Sequence, residues 1–278
     1  MGVINRLKKD RLAMVCIGFL FVVILAGVFA PMIAPHNPIE TNVKEKFAGM
    51  SMTYPLGTDQ LGRCILSRLL YGIRTTVFTS LLAMAVTIII GTILGVIAGI
   101  SRGKVDELIM RICDVFLSFP SEVMILAIVG MMGPGLFNVI IASIIAKWAW
   151  YTRMIRTIVL KYTDKNYIRF AKVSGCSTGH IVKTHILPGA AGEIAVLATL
   201  DTGSVILVIS ALSFLGLGVQ APTPEWGMML NEAKNVMIVH PYQMLAPGIA
   251  ILLVVAAFHF VGDSLQDAFD TKRGTKKG

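Results

Sequence analysis

The sequence predicts an all-α integral membrane protein with about six transmembrane helices. Three observations carry that reading: an apolar excess, its division into runs of spanning length, and basic residues gathered between the runs. Of the 278 residues, 55% are hydrophobic and only 15% are charged, with a mean hydropathy of +0.75. A soluble domain usually carries about 25% charged residues. One soluble core of this length cannot absorb that excess, whereas lipid can.

A spanning helix needs about 20 mostly apolar residues, since each rises about 1.5 Å across a hydrocarbon core of about 30 Å. The runs fall at 12–34, 77–100, 113–132, 136–150, 194–217 and 243–262. The first has the basic start of a signal peptide, but its apolar core exceeds the roughly 7–15 residues of such a leader. Pro31 also follows the small-residue candidate Ala30, so a retained helix is expected. In the second, Gly91, Gly95 and Gly99 share one face at four-residue spacing, a pattern of close helix packing. The third carries Asp114, Pro120 and Glu122, and Pro120 should kink or break it where neighbouring protein satisfies the freed carbonyl. The fourth is the shortest and holds Lys147, with Trp148, Trp150 and Tyr151 as interfacial anchors. The fifth contains Asp201. In the sixth, His259 reads as a packed or interfacial side chain.

Orientation follows from Lys and Arg. The N-terminal tail has Arg6, Lys8, Lys9 and Arg11, and the segment after the fourth run has Arg153, Arg156, Lys161, Lys165, Arg169, Lys172 and Lys183 against Asp164. The C-terminal tail has Lys272, Arg273, Lys276 and Lys277. With six spans all three lie on one side, so both termini are expected in the cytoplasm. Segment 35–74 also carries basic residues, but a loop of that length translocates with little regard to charge.

Composition and motif spacing exclude several functions. The net charge of +9 is distributed between apolar runs rather than interleaved with aromatics in one patch, so nucleic-acid binding is not expected. Cys16, Cys64, Cys113 and Cys176 lack C-x-x-C spacing, which argues against a zinc or redox motif. There is no G-x-x-x-x-G-K-[ST]: the nearest stretch, Gly99 to Lys104, has the wrong glycine spacing and no hydroxyl after the lysine. The chain is therefore not expected to be an enzyme, and any ATP hydrolysis would belong to another chain. The scattered His36, His180, His185, His240 and His259 give no catalytic or metal cluster.

Some 40 polar residues separate the fourth and fifth runs. They suggest two short helices, at 171–175 and 177–185, around the Gly175–Gly179 region and ending at Pro188. This is either a solvated basic loop or a docking element for a cytoplasmic partner. The stretch Tyr167-Ile-Arg-Phe-Ala171-Lys172-Val-Ser-Gly175, with His180-Ile181 and His185-Ile-Leu187-Pro188, resembles the cytoplasmic loop of ABC-importer permeases. Their pattern is E-A-A-x-x-x-G followed by I and L-P. Ala171, Gly175, Ile181, Leu187 and Pro188 match, while Arg169 and Phe170 replace the leading Glu and first Ala. Three further stretches resemble the peptide/nickel branch of that family: Leu56-Gly-Thr-Asp59-Gln-Leu-Gly62-Arg63 with Ser67-Arg68 and Tyr71-Gly72-Ile-Arg74; Ser213-Phe-Leu-Gly-Leu-Gly218; and Ala221-Pro-Thr-Pro-Glu225-Trp226-Gly227. Cys64 departs from the Asp usual after that Gly-Arg and is assigned no role.

The resemblance implies a binding-protein-dependent, type-1 importer permease fold. It would comprise an N-terminal tail, first helix and external segment (1–72), a permease domain (73–263) with a coupling loop at about 152–191, and a basic cytoplasmic tail (264–278). It implies a bacterial inner (plasma) membrane location, a homologous second permease, two cytoplasmic ATPases carrying ATP and Mg, and an external solute-binding protein. No cofactor would be bound by this chain. Tyr167, Ala171, Lys172, Gly175, Ile181, Leu187 and Pro188 would belong to the ATPase-docking loop, with Gly175 at a tight turn.

The solute rests on less. An ionisable residue within a span usually faces a cavity or a partner. Asp201 is either a packing residue or ion pair with the second permease, or a negative lining for a cationic or metal-bearing solute. The Trp148-Ala-Trp-Tyr151-x-Arg153-Met154 stretch and the residues around Asp201 look closer to the nickel-permease C subunit than to its dipeptide counterpart. Nickel or a small metal chelate is thus expected ahead of di- or oligopeptides, with no metal ligand set in this chain. An ion-coupled secondary transporter, the rival of another class, would want paired broken helices in two repeated halves. Only Pro120 suggests a break.

Overall fold

The structure, a computed structural model, describes residues 6, 7 and 9–269. Of the basic C-terminal tail expected at 264–278, residues 270–278 lie outside the described residues, as do 1–5 and Lys8, while 264–269 belong to the last helix. Among those described there is no β-strand, and one isolated bridge joins Thr58 to Cys64.

Helix α1 (Arg11–Val28) begins on Asp10, whose carboxylate accepts the amides of Leu12 and Ala13 and so satisfies two of the donors a helix start leaves free. A break at Phe29 separates it from the short α2 (Ala30–Ile33), with Pro31 in its first turn. The next helix starts earlier than its apolar run. α3 (Ile65–Ile73) passes through a π turn at Arg74–Phe78 into α4 (Thr79–Ser101), a continuous stretch of 37 residues.

α5 (Gly103–Leu117) and α6 (Ser121–Met132) are bent by 79° at Pro120. Proline lacks the amide that would continue the ladder and biases the residue before it toward extended geometry, so the expected break is present. The helical segment begins at Gly103 rather than at residue 113, because Asp106 and Arg111 interrupt its apolar run without interrupting the helix.

α7 (Leu136–Thr163) likewise continues thirteen residues past 150. α8 (Asn166–Val173), α9 (Thr178–Ile181) and a π turn at Val182–Ile186 lead into α10 (Leu187–Phe214). Pro188 therefore does not end a loop helix: it occupies the first turn of α10, where its missing amide costs nothing. α11 (Trp226–Lys234) and α12 (Tyr242–Phe269) complete the described fold.

Among the described residues four stretches are long and apolar enough to cross a membrane: α1, α3–α4, α9–α10 and α12. The bent α5–α6 pair makes a fifth if it counts as one span.

α4 lies along α7, and the glycine stripe makes that approach possible. A Cβ at Gly91 would stand 2.6 Å from the Tyr151 Cβ, one at Gly95 2.8 Å from the Thr152 carbonyl oxygen, and one at Gly99 2.7 Å from Val159 Cγ1. The contact seats Tyr151, Ile155 and Val159 in one hydrophobic core. A second core gathers α1, α3, α11 and α12 around Trp226, Ile206 and Val254.

The Leu56–Arg63 motif is explained by turns and buried charge. Gly57 and Gly62 have φ of 75° and 74°, and a Cβ on Gly62 would meet the Asn42 carbonyl oxygen at 1.7 Å. These turns deliver Asp59 beneath two fully buried arginines. Asp59 Oδ2 lies 2.6 Å from Arg63 Nε and 2.5 Å from Arg68 Nη1, while Glu232 Oε2 of α11 lies 3.0 Å from Arg63 Nη2 and 2.6 Å from Arg68 Nη2. The Pro-Glu-Trp-Gly motif locks α11 down in a similar way. Glu225 caps α11 through the Met228 amide at 2.7 Å and accepts from the Thr76 hydroxyl at 3.0 Å, and the Trp226 indole donates to the Leu69 carbonyl.

Candidate functional site: an exposed loop and a charged cavity

Residues 164–186 form a two-sided platform. Ile168, Ala171, Ile181 and Ile186 are buried in the core shared with Tyr151, Ile155 and Val159. Tyr167, Phe170 and Val173 point the other way, exposed at 50%, 72% and 87%. Their i, i+3, i+6 spacing puts them on one side of α8. Lys172 and the run through His180 are exposed as well. Gly175, at φ 79°, turns the chain between α8 and α9 with open space around it.

Of the residues the sequence assigned to this loop, then, Tyr167, Lys172 and Gly175 are presented outward. Ala171 and Ile181 are the feet that hold it, and Leu187 and Pro188 begin α10. Phe170 and Val173 join the outward face without having been singled out in the sequence, although three apolar residues at that spacing in an otherwise polar segment were the available signal.

The loop base is tied by charge. Arg102 donates to Asp164 at 2.8 Å and holds its carboxyl below the ordinary carboxylate value. Above it, Arg156 grips Asp106 through two bonds of 2.5 Å and Arg153 pairs with Asp114, fastening α5 to α7. These pairs let α7 stay helical through its charged second half.

Asp201 is not a bare carboxylate. Its Oδ2 accepts from Lys147 Nζ at 2.8 Å and from the Tyr151 hydroxyl. The ion pair is formed within this chain. It lines a cavity of about 310 Å³ at the α5–α6 bend, together with Glu122, Ser121 and Ser204 and with aromatic walls from Phe116, Phe119 and Trp150. Two carboxylates and one ammonium thus face a single small space. His259 packs within contact distance of Gly203. Among the described residues no three His, Cys, Asp or Glu side chains are placed to hold a metal ion.

A polytopic helical bundle with a solvent-facing helical platform and a polar internal cavity is the architecture of a membrane permease. Residues 91–274 match the model of the binding-protein-dependent transport system inner membrane component, and residues 2–49 match the N-terminal TM domain of oligopeptide transport permease C. The chain belongs to this family of ABC-importer permeases.

It is 46% identical to the metal-staphylopine import system permease protein CntC of Staphylococcus aureus, over 99% of this chain and 96% of that one. It is 40% identical to the dipeptide transport system permease protein DppC of Alkalihalophilus pseudofirmus (96% and 88%), and 36% identical to the nickel transport system permease protein NikC of Escherichia coli (94% and 93%). The fold also matches a chain of the inward-facing MetNI methionine ABC transporter, with a TM-score of 0.61 at 16% identity over 73% of this chain and 97% of that one. Membership makes the chain a multi-pass inner-membrane transport subunit rather than an ATPase, and implies an ATPase and a solute-binding protein as partners.

Proposed function

We propose that this chain is one of two homologous permeases that together form the pathway of an importer for nickel or a small metal chelate. Six spans are the reading that fits best. At about 1.5 Å per residue α7 extends about 42 Å, enough to cross, with its charges gathered toward one end and matched by α5. Both termini and the 164–186 platform then share the cytoplasmic side. ATP and Mg would be held by two ATPase subunits there, and the solute would be delivered by the external binding protein.

The observation that carries the docking role is the two-sided platform. An apolar ridge of Tyr167, Phe170 and Val173 stands out from the protein while Ile168, Ala171 and Ile181 anchor it in the core. A ridge so exposed on a rigid base suits a groove on a partner, and its movement would pass directly into α7 and α10. Closure of the ATPases on ATP would thereby switch the cavity between its two openings, a rigid-body transition biased by ligand.

The metal reading draws on the relatives named for metal-staphylopine and nickel import. A di- or oligopeptide solute is the second reading, favoured by the dipeptide relative at 40% identity. Uptake of ⁶³Ni in cells carrying all subunits, with and without an in-frame deletion of this chain and with excess dipeptide, separates them. Loss of uptake that dipeptide does not compete supports the metal branch. Intact nickel uptake with lost peptide uptake overturns it.

A further inference from the structure

We propose that Lys147 is the carboxylate-binding residue of the translocation pathway, and that Asp201 keeps it in place until a carboxylate-bearing solute displaces Asp201 from it. This deepens the importer reading and rests on it.

The geometry fits an exchangeable pair. Both bonds to Asp201 land on one oxygen, Oδ2, one from the Lys147 ammonium at 2.8 Å and one from the Tyr151 hydroxyl. An ammonium has three donors, and among the described residues Lys147 spends one of them. Both partners keep access to the cavity, with side-chain exposures of 14% and 23%. If an incoming carboxylate takes the ammonium, Asp201 is not left orphaned, because Tyr151 still donates to it. Tyr151 itself is fully buried and pinned by Gly91 across the α4–α7 contact. It is a fixed donor that does not follow the lysine.

The remaining charges define the solute. Once Lys147 is engaged, the free side of Asp201 and the carboxylate of Glu122 face the same space, so a cationic centre close to the solute's carboxylate would be met by opposite charge. A metal held by a carboxylate chelator has that pairing, as does a zwitterion. The cavity of about 310 Å³ lies at the lower end of the roughly 300–1,000 Å³ typical of small-ligand sites.

The test uses the complete transporter with its binding protein in proteoliposomes. The probes are ⁶³Ni as its glycinate chelate, ⁶³Ni as its ethylenediamine chelate, and a labelled dipeptide. For whichever carboxylate-bearing probe the wild type imports, Lys147→Met should lower the uptake rate roughly tenfold to a hundredfold, the worth of a charge-assisted hydrogen bond. Lys147→Arg should retain most of it.

The double variant Lys147→Met/Asp201→Leu leaves no lone charge, and co-purification with the ATPase subunits reports its assembly. If the pair is only structural, the double variant imports like wild type, which overturns the proposal. If it is the carboxylate site, uptake stays low. Wild-type import of the ethylenediamine chelate alone would overturn the proposal and leave the nickel reading standing. Import of the dipeptide alone would overturn the metal reading while the Lys147 variants still decide the site. Import of none of the three overturns both.

Discussion

Replacing Arg68 by Met should be among the most damaging single changes outside the pathway. Arg68 is 1% exposed and its two terminal nitrogens reach Asp59 Oδ2 at 2.5 Å and Glu232 Oε2 at 2.6 Å. In the native network two guanidinium groups face two carboxylates. Without Arg68, Arg63 alone must serve both, and one negative charge is left uncompensated where the two acids are only 10% and 12% exposed. Breaking a buried pair from one side costs about 3–5 kcal/mol, against about 0–1 kcal/mol for an exposed pair.

The assay is the unfolding rate of the purified complete transporter at several temperatures, followed by the loss of helical circular dichroism. A rate is the suitable quantity because large assemblies seldom unfold reversibly. Arg68→Met/Glu232→Gln, which restores the charge balance, should recover most of the lost stability. A loss from Arg68→Met below about 1 kcal/mol, in the range of surface pairs, would refute the reasoning and show that water reaches the network.

Gly95→Ala should destabilise the transporter by about 1–3 kcal/mol through overpacking, because the new methyl meets the Thr152 carbonyl at 2.8 Å; thermal inactivation of the variant measures it. Phe170→Asp should reduce co-purification of the ATPase subunits while leaving the level of membrane-inserted chain unchanged, as its side chain is 72% exposed and supports no core. Burial pushes the Glu225 carboxyl above its ordinary value of 4.5. The folded chain therefore holds that proton more tightly than the unfolded chain, and the associated stability is full below about pH 4.5 and lost as pH rises through the elevated value. Glu225→Gln should flatten that part of the pH–stability profile, measured again by unfolding rate.

The elements readable in the sequence were those specified by local pattern. Apolar runs marked the four stretches long and apolar enough to cross a membrane among the described residues, Pro120 marked the bend of the fifth, and four-residue glycine spacing marked the face where α4 meets α7. What stayed hidden depended on partners far along the chain. The sequence pattern put the end of the fourth span at residue 150, because Arg153 and Arg156 look like loop charges. Their acids, Asp114 and Asp106, lie 39 and 50 residues earlier on a helix whose own start was masked by Asp106 and Arg111. Asp201 was singled out correctly as a residue needing an explanation, but Lys147, 54 residues before it, was read only as a blemish in a short span. The loop at 164–186 was singled out through its pattern of small residues, several of which turn inward. In the outward ridge, Val173 falls at a position the pattern leaves open, and Phe170 stands where the pattern has its first Ala.

The network of Asp59, Arg63, Arg68 and Glu232 also imposes a schedule on biosynthesis. Glu232 is made 169 residues after Arg63, which at about 5–20 residues per second is an interval of about 10–30 s. Throughout that time Asp59 is the one native acid available to both arginines. The segment that bears them must cross or wait at the membrane with unmatched positive charge, and it can be sealed only when α11 arrives. Completion of this network is therefore a late event in the making of the chain, set by where a single glutamate stands.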